Sequence, residues 1–513
     1  MFKTKIIGEI NPSPQTSPVN SSYPSLIIQP DEIRPNPDKK VIQTSLTARG
    51  HEIFNDVLDT PDAIIEPLVE NTLNTFSGNH RTLRETFLQN YNEACSSYNI
   101  PQEIINKLSP VQKVYLGTIF TEEFTPEGAA KCNASIVLDP DQPNVSKENI
   151  PVIMAFRCIS EGHISSISFA KVHLNKFGKI KSIDDSDIIE PPVKEYPLYH
   201  RETLRLKLQQ IAIINDSIHG FLNSLPEWID IHQLSRKVST ACQDICTSDC
   251  NKRLLEQLLG LAKSNFILKF DEELPLSSRI IVPSTSRIKG LEDVRITPFL
   301  DDKGNIIYYM TYTAYNFPNI TPSLIETTDF IKFNMVTLNG SEAYDKDMAL
   351  FPRKINPLKI NGFNGQQYAM ISRNDGRNLY LMFSDNIHFW DNKTLIKLPH
   401  LSWLIRQKGV CAPPIETEEG WLVIIHGVGS VREYGIGAIL LDKENPSRAI
   451  KITESPILTP DMLGRSGYVP NVVYTCGALH MYGRLIIPVA VGDSYTRFCS
   501  LSMSELLNNM LPM

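Results

Sequence analysis

Three of the four residues from Glu292 to Arg295 carry charge, in the segment GLEDVRI (290–296). A strand buried on both faces does not hold such a cluster unless the charges are paired, solvated or in use. Two readings fit. Asp293 is a general acid oriented by its neighbours in a sugar-sized pocket, or Glu292 and Arg295 are an ion pair bracing a strand end. A second cluster lies in AYDKDMALFPRKI (343–355), where Lys346, Asp347 and Arg353 stand near a strand start and Arg373 follows in YAMISR. Arginines at strand ends are usually solvated; two that converge make a bidentate clamp for an oxyanion. A third stretch, KGVCAPPIETEEGWLVIIHGVGSVREYGIGAILLD (408–442), puts His426 at the end of an apolar strand and Tyr434 before another. Asp493 ends the apolar run of RLIIPVAVGDSYTRF (484–498), either as a turn former beside Gly492 or as a binder of hydroxyls.

Several chemistries are excluded by the same survey. There is no phosphate-binding glycine loop, dinucleotide fingerprint, HExxH, GxSxG or paired CxxC. Cys242, Cys246 and Cys250 would line one face of a helix, but no histidine stands at ligand-like spacing, so buried thiols are expected rather than a metal site. The formal charge of −7 provides no basic field for nucleic acid. No run approaches the ~18 apolar residues of a membrane helix. The N-terminal MFKTKIIGEINPSPQTSP does not read as a signal peptide, and nine scattered cysteines suit a reduced, cytoplasmic protein.

The elements that must position these residues are mainly β. Residues 1–45 are rich in Pro, Ser, Asn and Thr and read as a mostly irregular arm. Helical periodicity covers 50–108, as in ETFLQNYNEACSSY. From Val111, short β-rich runs follow (KVYLGTIF, NASIVLD, VIMAFR, SSISFAKVHL), then helical spacing returns over 200–268. Strands resume near 290 and continue to about 500, in groups of about four, the texture of propeller blades. The expected architecture is a five-bladed β-propeller: arm and helical extension 1–110, first blade 111–190, helical insertion 191–275 between blades one and two, remaining blades 276–513. Polar residues on the innermost strands would then face a central channel.

Taken in order, GLEDVR, KDMALFP with ISR, PPIETEEGWLVIIHGV, YGIGAILLD and VAVGD resemble the motifs of glycoside hydrolase family 130, the β-mannoside phosphorylases and related mannosidases. The likeness covers about 290–500 and extends more loosely to KCNASIVL and MAFR; it departs at Val294, where the family has Pro. It implies a five-bladed propeller and inverting chemistry on β-mannosides, with no metal or organic cofactor and inorganic phosphate as co-substrate. Asp293 stands at the family's proton-donor position, acting through a sugar hydroxyl. Asn133, Arg157 and Asp493 match mannosyl-binding positions, and Glu292, Arg295 and Asp347 are grouped with them on the substrate side. Arg353, Arg373, His426 and Tyr434 match phosphate-holding positions, with Lys408 added in a register uncertain by one residue. An inverting hydrolase needs a second carboxylate roughly 6.5–9.5 Å from the acid to activate water. Phosphate needs no base, only cations and donors, so this set favours phosphorolysis over hydrolysis. A non-catalytic sugar-binding or scaffolding propeller is the third alternative. The expected partners are a β-mannoside oligosaccharide and phosphate, neither nucleic acid nor membrane, and a second copy of the chain through the helical segments.

Overall fold

The computed structural model describes residues 23–141, 145–244, 249–283, 290–316, 319–356 and 365–513. Antiparallel strands dominate. The first group is Ala130–Leu138, Ile150–Ile159, Ser165–Leu174 and Ile180–Asp184. The second is Gly290–Leu300, Ile306–Asn316, Asn319–Thr327 and Lys332–Thr337, linked to the first by one parallel pair, Gly290 with Ser165. The third runs Ala349–Leu350, Tyr368–Ser372, Tyr380–Ser384 and Lys393–Leu395. The fourth runs Gln407–Val410, Trp421–Val428, Tyr434–Leu441 and Ala449–Ile452. The fifth holds Val473–Tyr474, Arg484–Val491 and Tyr495–Ser502. Each group packs on the next, and Arg484–Val491 of the last packs on Ala130–Leu138 of the first. Alternate residues facing between groups build the core: Phe351, Trp421, Val423 and Ile439 between the third and fourth, and Leu422, Ala438, Leu485 and Val489 between the fourth and fifth.

Three expectations are corrected. The arm is not irregular throughout: Ile27–Ile33 forms a strand paired with Tyr495–Ser502, the outer strand of the last group. Its Pro30 falls where the pairing register shifts between Ile28 and Glu32, a position where a missing N–H costs no ladder bond. KVYLGTIF is not β but the body of helix Pro110–Ile119. Ser109 caps it by accepting from Gln112 N, Gln112 Oε1 accepts in return from Ser109 N at 2.9 Å, and Pro110 fills the first turn. The apolar face of this helix closes on Phe54, Phe87 and Phe120, with Gly117 so near Phe87 that a Cβ would lie 2.0 Å from its carbonyl oxygen. Local β propensity loses to that cap and packing. The end of LAKSNFIL is likewise not helical: the helix stops at Lys263 and Phe266–Lys269 is a strand.

That last strand explains how the insertion attaches. Val193–Glu195 enters it and Phe266–Lys269 leaves it; the two pair with each other, and the second pairs with Lys332–Thr337 at the edge of the second group. Between them helices Arg201–Ile211, Asp216–Ser224, Ile231–Asp244 and Asp249–Lys263 bury their own core of Leu204, Leu208, Leu222, Leu234, Leu255 and Leu258. Cys242 and Cys250 sit on two different helices, and Cys246 lies outside the described residues.

Candidate active site

The first strands of the first two groups carry matching bulges. Glu292 pairs with Thr313 and Arg295 with Thr311, so Asp293 and Val294 face one partner residue; Cys132 pairs with Arg157 and Ser135 with Ala155, leaving Asn133 and Ala134 in the same state. Asp293 has φ 57° and Asn133 φ 49°. Asn and Asp enter this left-handed region more readily than other L-residues. The two bulges bring the side chains together: Asn133 Nδ2 donates to Asp293 Oδ1 at 2.7 Å. Ile296 N donates to Ser135 Oγ at 3.0 Å and holds the strands in that register. The Asp293 carboxyl is 13% exposed, so it is within reach of a ligand.

Two charge systems surround this acid. In the outer one, Arg157 Nη2 donates to Glu292 Oε1 and Lys346 Nζ to Glu292 Oε2, each at 2.7 Å, while Arg157 Nη1 lies 3.9 Å from Asp293 Oδ1. Glu292 is thereby tied by both oxygens. In the inner one, Arg295 is fully enclosed and donates to the carbonyls of Asp293, Val410 and Cys411, to Asp347 Oδ1 at 3.1 Å and to Tyr474 Oη at 2.8 Å. Asp347 Oδ1 also accepts from Tyr474 Oη at 3.0 Å, and its Oδ2 lies 3.0 Å from Arg373 Nη1 and 3.9 Å from His426 Nε2. Burial alone would raise the Asp347 carboxyl, but Arg373, His426 and Arg295 more than reverse this and hold it well below the usual carboxylate range.

His426 is neutral at pH 7. Burial drives its imidazole down to about 4, against the pull of the Asp347 carboxylate. Its ring stacks on Tyr434 at 5.5 Å and 18°, and lies 5.0 Å from the Tyr474 ring. Gly409 makes this packing feasible, since a Cβ there would lie 2.1 Å from His426 Cε1 and 2.4 Å from Asp347 Oδ2. Three buried polar atoms in this region have no hydrogen-bond partner among the described residues: Arg373 Nε, Asn133 Oδ1 and Asp347 Oδ2, the last held by its ion pair with Arg373. Buried polar groups are rarely left so without reason. Asp493, φ 52°, is coupled to Arg157 and Asp293; burial pushes its carboxyl up, against the pull of Arg157. Among the described residues no cluster of His, Cys, Asp and Glu has a metal-binding arrangement.

Asn133, Arg157, Glu292, Asp293, Asp347, Arg373, His426, Tyr434 and Asp493 are therefore linked in one network. Two residues grouped with phosphate are not. Arg353 forms a bidentate pair with Glu416 at 2.8 and 2.9 Å and lies over the Trp421 ring, at the opposite end of strand Trp421–Val428 from His426. Lys408 Nζ contacts Asn378 Oδ1 at 3.1 Å, beside Arg377 on the other face of its strand. One residue earlier, Gln407 Nε2 is 3.4 Å from His426 Nε2. Arg295 and Asp347 differ from expectation too: both are enclosed and shape the site rather than reach a ligand. Tyr474 was not legible, because NVVYTCG offers no charge or spacing to mark it.

Residues 270–511 match the model of a protein family described as beta-1,4-mannooligosaccharide phosphorylase. A 1,2-beta-oligomannan phosphorylase of a Thermoanaerobacter species is 34% identical over 195 residues, 37% of this chain and 60% of that protein. A beta-1,2-mannobiose phosphorylase of Listeria innocua is 28% identical over 227 residues, 43% of this chain and 60% of that protein. The chain thus spans about 60% of the length of these curated relatives. A solved structure of the Listeria innocua beta-1,2-mannobiose phosphorylase with beta-1,2-mannobiose aligns with 75% of this chain and 96% of its own, at 18% identity and a TM-score of 0.41.

Proposed function

We propose that the chain, whose residues 270–511 match the model of glycoside hydrolase family 130, phosphorolyses β-mannosides with inversion, giving α-mannose 1-phosphate and a shortened acceptor, reversibly. The strand groups are then five blades around a channel into which Asp293, Glu292, Arg157 and Arg373 project. Asp293 delivers its proton toward the glycosidic oxygen as the C1–O bond breaks, and Asn133 holds the carboxyl through Oδ1. A phosphate oxygen forms the new bond to C1 from the opposite face. The observation that carries this reading is Arg373: a guanidinium in contact with Asp347, with a buried Nε that has no protein partner, beside a neutral His426 stacked on Tyr434. Such a pocket suits an anion that already carries its charge, and it needs no base. Asn133, Arg157 and Asp493 hold the mannosyl ring. The helical segments, with Ile64, Leu68, Leu206 and Trp228 exposed, are the face for a second copy, which light scattering checks.

A candidate base for hydrolysis is Asp345, whose carboxyl burial raises and which lies 3.7 Å from Arg373 Nη2. Incubation with β-1,2- and β-1,4-mannobiose, with and without phosphate, separates the readings. Release of α-mannose 1-phosphate only with phosphate is the expected result; mannose released at equal rates without it identifies a hydrolase. Binding with no release under either condition identifies a sugar-binding propeller.

A further inference from the structure

The turn Ser160–Ile164 leaves the strand that carries Arg157 and is closed by Ser160 N donating to Ile164 O at 3.0 Å. At its tip His163 has φ 60° and is exposed. Its ring lies 5.4 Å from that of Tyr468, and its Nε2 is hydrogen-bonded to Tyr468 Oη. Tyr468 is 60% exposed, unusual for a ring so firmly anchored. Its backbone N donates to Ser494 Oγ at 2.7 Å, and Val469 N donates to Gly492 O at 2.8 Å. Gly467, φ 95°, lies so close that a Cβ would meet Gly492 O and Ser494 Oγ at 2.9 Å each. The loop bearing Tyr468 is thus fastened to both sides of Asp493. Together these contacts make a rigid bridge across the seam between the first and last strand groups, carrying an exposed aromatic face and a polar edge.

On the five-blade reading proposed above, the seam between the first and last groups stands opposite the third group, which carries Arg373. Inverting displacement requires the entering and leaving groups on opposite sides of C1, in line. If phosphate enters from Arg373 and His426, the leaving sugar emerges toward the seam. A pyranose presents one apolar C–H face and a rim of hydroxyls, which suits a tyrosine ring edged by an imidazole. We propose that Tyr468 and His163 form the platform for the acceptor sugar of the β-mannoside, the ring that departs when the mannosyl bond breaks. The proposal rests on the phosphorolytic reading and adds specificity-determining residues to it.

The test uses the full chain in the synthetic direction, with α-mannose 1-phosphate as donor and mannose or β-mannobiose as acceptor. Tyr468→Ala should raise the acceptor KM about tenfold, the effect of losing one stacked ring, and move the donor KM less than twofold. Tyr468→Phe keeps the face and should stay near wild type; His163→Ala should fall between, and it carries the same test should Tyr468→Ala lose the fold by its melting curve. Equal changes in both KM values, or none in either, overturn the platform. If the wild-type chain is inactive in both directions, the phosphorolytic reading fails, and titration with β-mannotriose decides the platform separately. Weaker binding by Tyr468→Ala keeps it, and unchanged binding removes it.

Discussion

Removing Arg353 and altering Arg373 should have different kinetic consequences, although both are arginines at the ends of short strands. Arg373→Lys keeps a positive charge beside Asp347 but loses the planar fork. It should raise the KM for phosphate about tenfold, with a melting temperature near wild type. Arg353→Ala breaks only the outward pair with Glu416 and should leave the phosphate KM within twofold, measured by initial rates at saturating mannoside. His426 gives a second test. Its folded pKa, about 4, is below the ordinary value near 6.5, so between those limits the unfolded chain binds a proton that the folded chain does not. Stability therefore falls as pH drops through that window, by up to about 3 kcal/mol. His426→Gln should flatten the pH dependence of the melting temperature between pH 6.5 and 4. Raised carboxyls such as Asp345 and Asp493 act with the opposite sign and are common to both chains, so the difference between the two curves isolates the histidine.

At the scale of the element, the paired bulges separate conformational strain from hydrogen bonding. Asn133→Ala keeps the positive φ without the Asn side chain, at a cost of roughly 1–2 kcal/mol, and loses the bond to Asp293. Asn133→Gly relaxes the backbone but loses the same bond. The glycine variant should melt closer to wild type, while kcat/KM drops in both by about tenfold or more. Such bulges are hard to read in a sequence, because KCNAS and LEDVR look like ordinary alternation until the register shows two residues facing one. What was legible is what a local pattern carries. ETFLQNYNEACSSY declared its helix through apolar spacing, and all of it but the C-cap Tyr98 lies within Leu83–Ser97. The acid, its neighbours and His426 were marked by residue type within specific motifs. What the sequence could not show was placement that depends on distant partners. Arg353 is drawn away by Glu416 and Trp421, some sixty positions later in the chain. Lys408 and Gln407 meet different partners, Asn378 and His426, because one residue reverses the face of a strand.

At the scale of the whole molecule, the first described strand meets the last sheet, and this contact links the arm to the site. Arg497 Nε and Nη2 donate to Gln29 O at 2.9 and 2.7 Å, Gln29 Nε2 donates to Phe177 O at 2.8 Å, and Arg484 Nη2 donates to Ser25 O at 2.8 Å. Beyond the strand, Lys39 is wholly enclosed, with Nζ 2.6 Å from Asp185 and 3.6 Å from Glu127, which in turn pairs with Lys131 at 2.9 Å. Burial alone would raise the Glu127 carboxyl; Lys131 and Lys39 bring it below its ordinary value. Lys131 directly precedes Cys132 and Asn133, and its backbone N donates to Ser494 O at 2.9 Å, next to Asp493. Lys39→Met leaves buried anionic charge undercompensated and should cost about 3–5 kcal/mol, read as a lower melting temperature. Adding Glu127→Gln should recover part of that loss, which a simple packing defect at Lys39 would not allow. Because the cluster adjoins Asn133 and Asp493, which the proposed function places against the mannosyl ring, Lys39→Met should raise the KM for mannoside several-fold and leave the phosphate KM unchanged. An equal rise in both would mean that the arm supports the fold as a whole and not that side of the channel.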